Sequence, residues 1–356
     1  MFVGIADTFT ASFASEAEVS GVSLVSSFNT VLIFLFTVLS SGGAVIISQY
    51  IGSRRNDLAS RASGQLLMLS SLLSAVLTAL ILLFQTPLLK LLFGRIETDV
   101  MTACRTYLFI TTLSLPFLAV YDAGAALCRS IGKTNVTMYI SIAANVINVA
   151  GNCIGVFLLH MGAAGVAYPS LLSRILSAIA VTAYCFRREN PVHYKLSDIF
   201  FLDGALLKKI MHIALSNGVE NGVHQLVKVA LSSMVALFGT YQIAANGVAQ
   251  SIWSLAAIMG LAMAPVYTTV IGQYMGAKDI DAANFYFKKL NRITLLLSIL
   301  WNALIFALTP LIVRYSAISP KRKSWCSGWS SSIIFLTAWH ILLPVLWAAG
   351  CGPPGT

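Results

Sequence analysis

The chain has 356 residues, 57% of them hydrophobic and only 10% charged, with a net charge of +10 and a mean hydropathy of +0.81. Ordinary soluble domains are about a quarter charged, so this composition excludes soluble, fibrous and disordered classes and predicts an all-α polytopic membrane protein. A spanning helix uses about 20 apolar residues, which leaves room for roughly ten spans joined by short loops.

Residues 1–13 are apolar but shorter than a span, and they read as the end of a first helix truncated at its start. Long apolar runs then predict helices near 20–48, 62–84, 101–127, 134–159 and 163–186, and after a basic connection near 208–237, 242–272 and 290–313, about nine spans with the stub. The loops at 52–61, 128–134, 187–209 and 276–292 carry fourteen Lys and Arg, whereas the opposite loops up to residue 313 carry only Lys90, Arg95 and Arg105. The positive-inside rule therefore places the four basic loops in the cytoplasm. Six scattered cysteines without Cys-x-x-Cys spacing read as small core residues rather than a disulfide framework or a zinc site.

Gln49-Tyr50-Ile51-Gly52, followed by Arg54 and Asp57, returns as Gln273-Tyr274-Met275-Gly276, followed by Lys278 and Asp281, at a constant offset of 224. Identities in the preceding helices are few, but Pro87 and Pro310 also fall within one residue of this offset. An even number of spans separates the two motifs, so the halves share one orientation, as in transporters built from parallel repeats. From Pro320 onward the composition breaks: four of the six Trp, four of the ten Pro and no acidic residue lie in 320–356, which opens with Lys321, Arg322 and Lys323. A frame change after about Ser319 is the expectation for this tail; a tenth span over 331–350 is the alternative.

Ionisable residues in hydrocarbon cost at least about 2.5 kcal/mol, so each needs a partner, a cavity or a function. Ser216, Glu220 and His224 recur every four residues, flanked by Asn217, Asn221 and Gln225, on one broad helix face that must line a cavity or pack against other helices. Glu220, at the middle of that stretch, is the leading candidate for exchanging a cation, with a structural pair to Lys228 or His224 as the alternative. Asp7 is the sole charge in the N-terminal stub. Asn145, Asn148 and Asn152 lie on adjacent turns and suit either cation coordination or hydrogen bonding between helices. Asp122 has Arg129 two turns on, and Arg174 needs a carboxylate that sequence does not name. Gly132-Lys133-Thr134 lacks the preceding glycine of a phosphate loop, since position 127 is Leu, and His193, His212 and His224 have no His-x-x-x-His pairing. Enzymatic chemistry thus has no motif here.

These features together resemble the multidrug and toxic compound extrusion (MATE) family of secondary transporters, over almost all of 1–319. Ile5-Ala6-Asp7-Thr8 resembles the family's first-helix aspartate segment, the two Gln-Tyr-x-Gly turns resemble those closing its second and eighth helices, and Asn217-Gly218-Val219-Glu220-Asn221-Gly222 resembles its seventh-helix glutamate motif. The resemblance implies two six-helix lobes, with 1–196 holding helices one to six, 197–319 helices seven to nine, and 320–356 standing apart where a tenth helix with a further acid is expected. It also implies a cation site, Na⁺ being one candidate, from Asp7, Asn148, Asn152 and Ser170; Asn152 stands where some members have an aspartate, which lowers the negative charge. The implied activity is non-enzymatic: H⁺- or Na⁺-coupled export of organic, cationic and amphipathic compounds by a monomer in the cell membrane, without a cofactor and without nucleic acid. A lipid-linked oligosaccharide flippase of the same superfamily and a non-transporting fragment are the alternatives. The scarcity of intramembrane cations, Arg174 and Lys228, disfavours the first of these.

Overall fold

The computed structural model describes residues 16–93, 97–200, 203–236 and 240–315, excluding the side chains at 16, 93, 200, 220, 221, 224–226, 228–255 and 308–315. Every regular element among the described residues is helical: α1 (Glu16–Gly52), α2 (Asn56–Leu83), α3 (Gln85–Phe93), α4 (Thr98–Leu113), α5 (Leu115–Ser130), α6 (Thr134–Cys153), α7 (Gly162–Cys185), α8 (Leu196–Phe200), α9 (Gly204–Ala236), α10 (Thr240–Gly276) and α11 (Ile280–Tyr315). A π turn, Ile154–Leu158, prolongs α6. Six described helices are long and apolar enough to cross a membrane, and α4 with α5 forms a seventh candidate bent by 41°. The residues group into two compact units that divide at Gly218, inside α9.

In the first unit, α1 packs along α2, α4 and α5, while α7 lies against α4, α5 and α6. Lipid tails are as apolar as leucine, so close backbone approach rather than burial holds such helices together. A Cβ on Gly42 would stand 2.8 Å from the Ala214 nitrogen, and one on Gly124 would stand 2.9 Å from Val181 Cγ1. Two apolar clusters result, one around Val25, Phe36, Leu108 and Leu115, the other around Ile47, Leu66, Leu127 and Ile210. Thr30 bonds the carbonyl of Ser26, Thr37 that of Ile33 and Ser74 that of Ser71, each about a turn back, which satisfies these three hydroxyls without water.

The span expected over 101–127 is broken at Ser114. Pro116 stands near the start of α5 and has no N–H to give the carbonyl of Thr112 four residues back. Thr78 of α2 donates its hydroxyl to that carbonyl at 3.4 Å instead. Cys104, Cys128 and Cys185 are buried free thiols, as expected of core residues, whereas Cys153 is exposed and departs from that expectation.

The connection from α7 to α9 is a strap docked on the end of the first unit. Gln65, buried in α2, donates to the Asp198 carbonyl at 2.8 Å and accepts from the Asp203 amide at 3.1 Å. Gly64 leaves room for the Asp198 backbone, to which a Cβ would come within 3.1 Å. Tyr194 is buried edge-on against Phe186 and returns its amide to the Cys185 carbonyl at 2.9 Å. Burial pushes its phenol well above the usual tyrosine range. Lys195 meets Asp57 at 3.2 Å, on the surface.

Both repeated turns have one backbone. Arg54 and Lys278 sit at φ 58° and 60°, in the left-handed region. Around the first, Arg54 N bonds Ile51 O and Arg55 N bonds Tyr50 O; around the second, Lys278 N bonds Met275 O and Asp279 N bonds Tyr274 O. Each is the two-bond helix stop that satisfies carbonyls left over at a helix C-terminus. Gly132, at φ 77°, closes α5 in the same way, with bonds from Gly132 N to Arg129 O and from Lys133 N to Cys128 O. Gly132-Lys133-Thr134 is therefore a helix stop.

In the second unit α10 packs along α11. The Tyr267 hydroxyl donates to Asn291 Oδ1 at 2.5 Å, and Tyr274 stacks on Tyr286 with ring centroids 4.6 Å apart.

Candidate functional site

α6 carries its asparagines on a seam with α7. Asn148 and Asn152, one turn apart, are both fully buried, and the Asn148 side-chain amide donates to Ser170 Oγ at 2.8 Å. Two features of α7 set that distance. Pro169 presses its ring on Gly151, where a Cβ would come within 2.6 Å, and Gly155 faces the carbonyl of Gly165. Pro169 has no N–H for that carbonyl, four residues back, which leaves it directed at the neighbouring glycine. Ser173 and Ser177 continue Ser170 along α7, each bonding the carbonyl a turn before it. The Asn148 Oδ1 accepts no hydrogen bond among the described residues although it is buried. A desolvated amide oxygen of this kind is short of a donor or a cation.

The structure thus brings together Asn148, Asn152 and Ser170 of the sequence-derived set. Asp7 lies outside the described residues. Glu220 and His224 stand one turn apart on the continuous α9, and their side chains lie outside those described. Of the flanking polar residues, Asn217 donates to Ser41 of α1 at 3.3 Å. The row Leu215, Val219, Val223 and Val227 on the same helix is exposed and apolar, as a lipid-facing stripe should be. Among the described residues no group of three or more His, Cys, Asp or Glu is placed to hold a metal ion.

Arg174, for which the sequence names no partner, reaches a hydroxyl. Its Nη1 donates at 2.6 Å to Ser114, whose own hydroxyl donates to the Thr111 carbonyl at 2.5 Å. Asn29 of α1 joins through Thr111 Oγ1 at 3.0 Å. The guanidinium therefore pins the break between α4 and α5, with Asp122 within its electrostatic reach together with Arg129.

Two polar features were missed from sequence. Thr294, Ser298 and Asn302 form a buried row on α11, with Ser298 Oγ and Asn302 Oδ1 unbonded among the described residues. Subtracting the repeat offset gives Ser70, Ser74 and Thr78 on α2, of which Ser70 and Ser74 are buried. A polar residue every fourth position in an apolar span was the available signal. The strap was the other, and its signal was a lone glutamine, Gln65, within an apolar run.

The family described as MatE matches residues 1–154 and 218–349. Among curated relatives, the "Uncharacterized transporter YisQ" of Bacillus subtilis is 26% identical over 288 residues, covering 80% of this chain and 62% of the relative. The "Probable multidrug resistance protein NorM" of Thermotoga maritima is 24% identical over 290 residues, covering 78% of this chain and 60% of its own length. The chain thus spans about three fifths of these relatives. A solved structure described as "MATE in the bent conformation" superposes with a TM-score of 0.85 over 95% of this chain and 75% of the other, at 20% identity, and so shares the fold.

Proposed function

The chain belongs to the MatE family, and from that premise we propose that it is a cation-coupled antiporter exporting organic, cationic and amphipathic compounds across the cell membrane. Multiple membrane-spanning helices and a family of multidrug transporters support the transport class. The observation that carries the coupling is the buried seam of Asn148, Asn152 and Ser170, where the Asn148 Oδ1 lacks a donor among the described residues. In the proposal, Asp7 adds a single negative charge to these neutral oxygens. One carboxylate among amides and a hydroxyl suits H⁺ or Na⁺ better than a divalent ion, which collects several charged oxygens. Glu220, with His224 a turn away, is the corresponding group on α9. Substrate and ion compete for the carboxylates, and the two halves alternate access by shifting between states that each ligand favours differently. The protein acts as a monomer, without catalysis and without a cofactor, with the loops at 52–61, 128–134, 187–209 and 276–292 in the cytoplasm.

The test is energised efflux of ethidium from cells expressing the protein. Glu220→Gln and Asp7→Asn should each abolish gradient-driven efflux at unchanged membrane abundance, because a neutral amide can carry neither the proton nor the charge. Efflux by Glu220→Gln at the parent rate overturns the coupling role.

A further inference from the structure

On the side of the α6–α7 seam lined by Ile147, Gly151 and Tyr168 lies a groove of about 430 Å³. Its walls include Ile154, Leu172 and Ile175, and the Tyr168 hydroxyl is the only polar side-chain group among the lining residues. Ile154 and Leu172 are 52% and 51% exposed, so the groove opens outward from the helix pair. Gly151, Gly155, Gly165 and Pro169 form its floor, where the two helices meet almost backbone to backbone. The π turn over Ile154–Leu158 contributes Ile154 and Gly155 to the lining.

Both helices are long and apolar enough to span a membrane, which sets this apolar groove at the depth of the hydrocarbon core. From Ile147 to Leu159 the lining covers twelve residues of rise, about 18 Å along the axis. That is close to one leaflet, half of a hydrocarbon core about 30 Å thick. The groove ends at the His160–Met161 connection, where the chain leaves the spans.

We infer that this groove is a binding site for one acyl chain of a bilayer phospholipid, drawn from the leaflet on the side of the α6–α7 connection, with the headgroup at residues 159–162. Lipid is already apolar, so the hydrophobic effect does not hold the chain there. Contact does: a tail on a flat helix face touches protein on one side, whereas a tail in the groove is flanked by α6, the π turn and α7. The same tail covers the Gly151–Pro169 contact that places Ser170 beside Asn148. It thus shields the buried polar seam from the lipid side.

The full protein is reconstituted into phosphatidylcholine vesicles containing a trace of phosphatidylcholine with a diazirine midway along one acyl chain. After photolysis, adducts are mapped by peptide mass spectrometry. Labelling of 147–175 should exceed that of the exposed apolar faces of α1 and α11, at Val31, Leu296 and Leu300, by about five-fold, as retention through added dispersion contacts requires. Leu172→Trp, which fills the groove, should bring it down to the level of those faces, and Ile147→Trp fills the opposite end should the first variant fail to fold. Uniform labelling over all exposed apolar residues, or excess labelling that survives a folded tryptophan variant, overturns the site. Loss of the excess on adding ethidium also overturns it, since the occupant is then an exported amphiphile rather than lipid. Labelling needs no transport, so its outcome is independent of the efflux test.

Discussion

The turns after α1 and after α10 share a backbone and differ in what stands around them. Both place a basic residue, Arg54 or Lys278, in the left-handed region and close the helix with the same pair of bonds. At the second, Asp279 follows and its carboxylate accepts from the Ala282 amide at 2.9 Å, capping α11. The first has Arg55 there, and α2 starts without a side-chain cap. Beside the first turn lies the strap, through Lys195 on Asp57 and Gln65 on Asp198 and Asp203. The turn conformation follows from a few local residues and persists in both copies, whereas the caps and contacts answer to what each copy must hold.

The largest effect should come from removing what, among the described residues, the first turn's surroundings add. Gln65→Leu leaves the Asp198 carbonyl and Asp203 amide without their partner and should cost about 1–3 kcal/mol, read as a lower thermal midpoint and faster amide exchange over 190–203. Unchanged exchange there would show the strap to be held by apolar packing alone. Next come the left-handed positions: Arg54→Gly and Lys278→Gly should each gain about 1 kcal/mol by lifting the penalty their side chains already bear, and a gain at one but not the other breaks the equivalence of the turns. Caps sharpen the contrast, since Asp279→Ala should lower the midpoint by about 1 kcal/mol while Arg55→Asp raises it by a similar amount. Smallest is Lys195→Ala, at under about 0.5 kcal/mol, because the pair with Asp57 is solvent-exposed.

The spans and the duplicated turns were legible because both rest on local signals, apolar length and a short polar motif. The split at Ser114 was half legible. Pro116 announces a missing hydrogen bond, but the acceptance of Thr78 by the stranded Thr112 carbonyl is a contact over 34 residues that periodicity does not encode. In the candidate site, Asn148 and Asn152 were visible as polar residues on adjacent turns. Ser170 came into view through the family resemblance alone, since a serine in a serine-rich helix carries no signal of its own. The pairing of Asn148 with Ser170 depends on Pro169 meeting Gly151, and such tertiary fits between small residues leave little trace in composition.

The docked strap also decides where the chain can be cut. A protease needs several consecutive residues to peel away and extend through its cleft, and hydrogen-bonded or buried backbone resists this. Arg187 and Arg188 are exposed at the root of the strap, whereas Lys195 follows the buried Tyr194 and precedes the Asp198 backbone gripped by Gln65. To a trypsin-like enzyme the strap therefore offers Arg187 and Arg188 directly, whereas Lys195 is cut at the rate at which the strap lifts from α2.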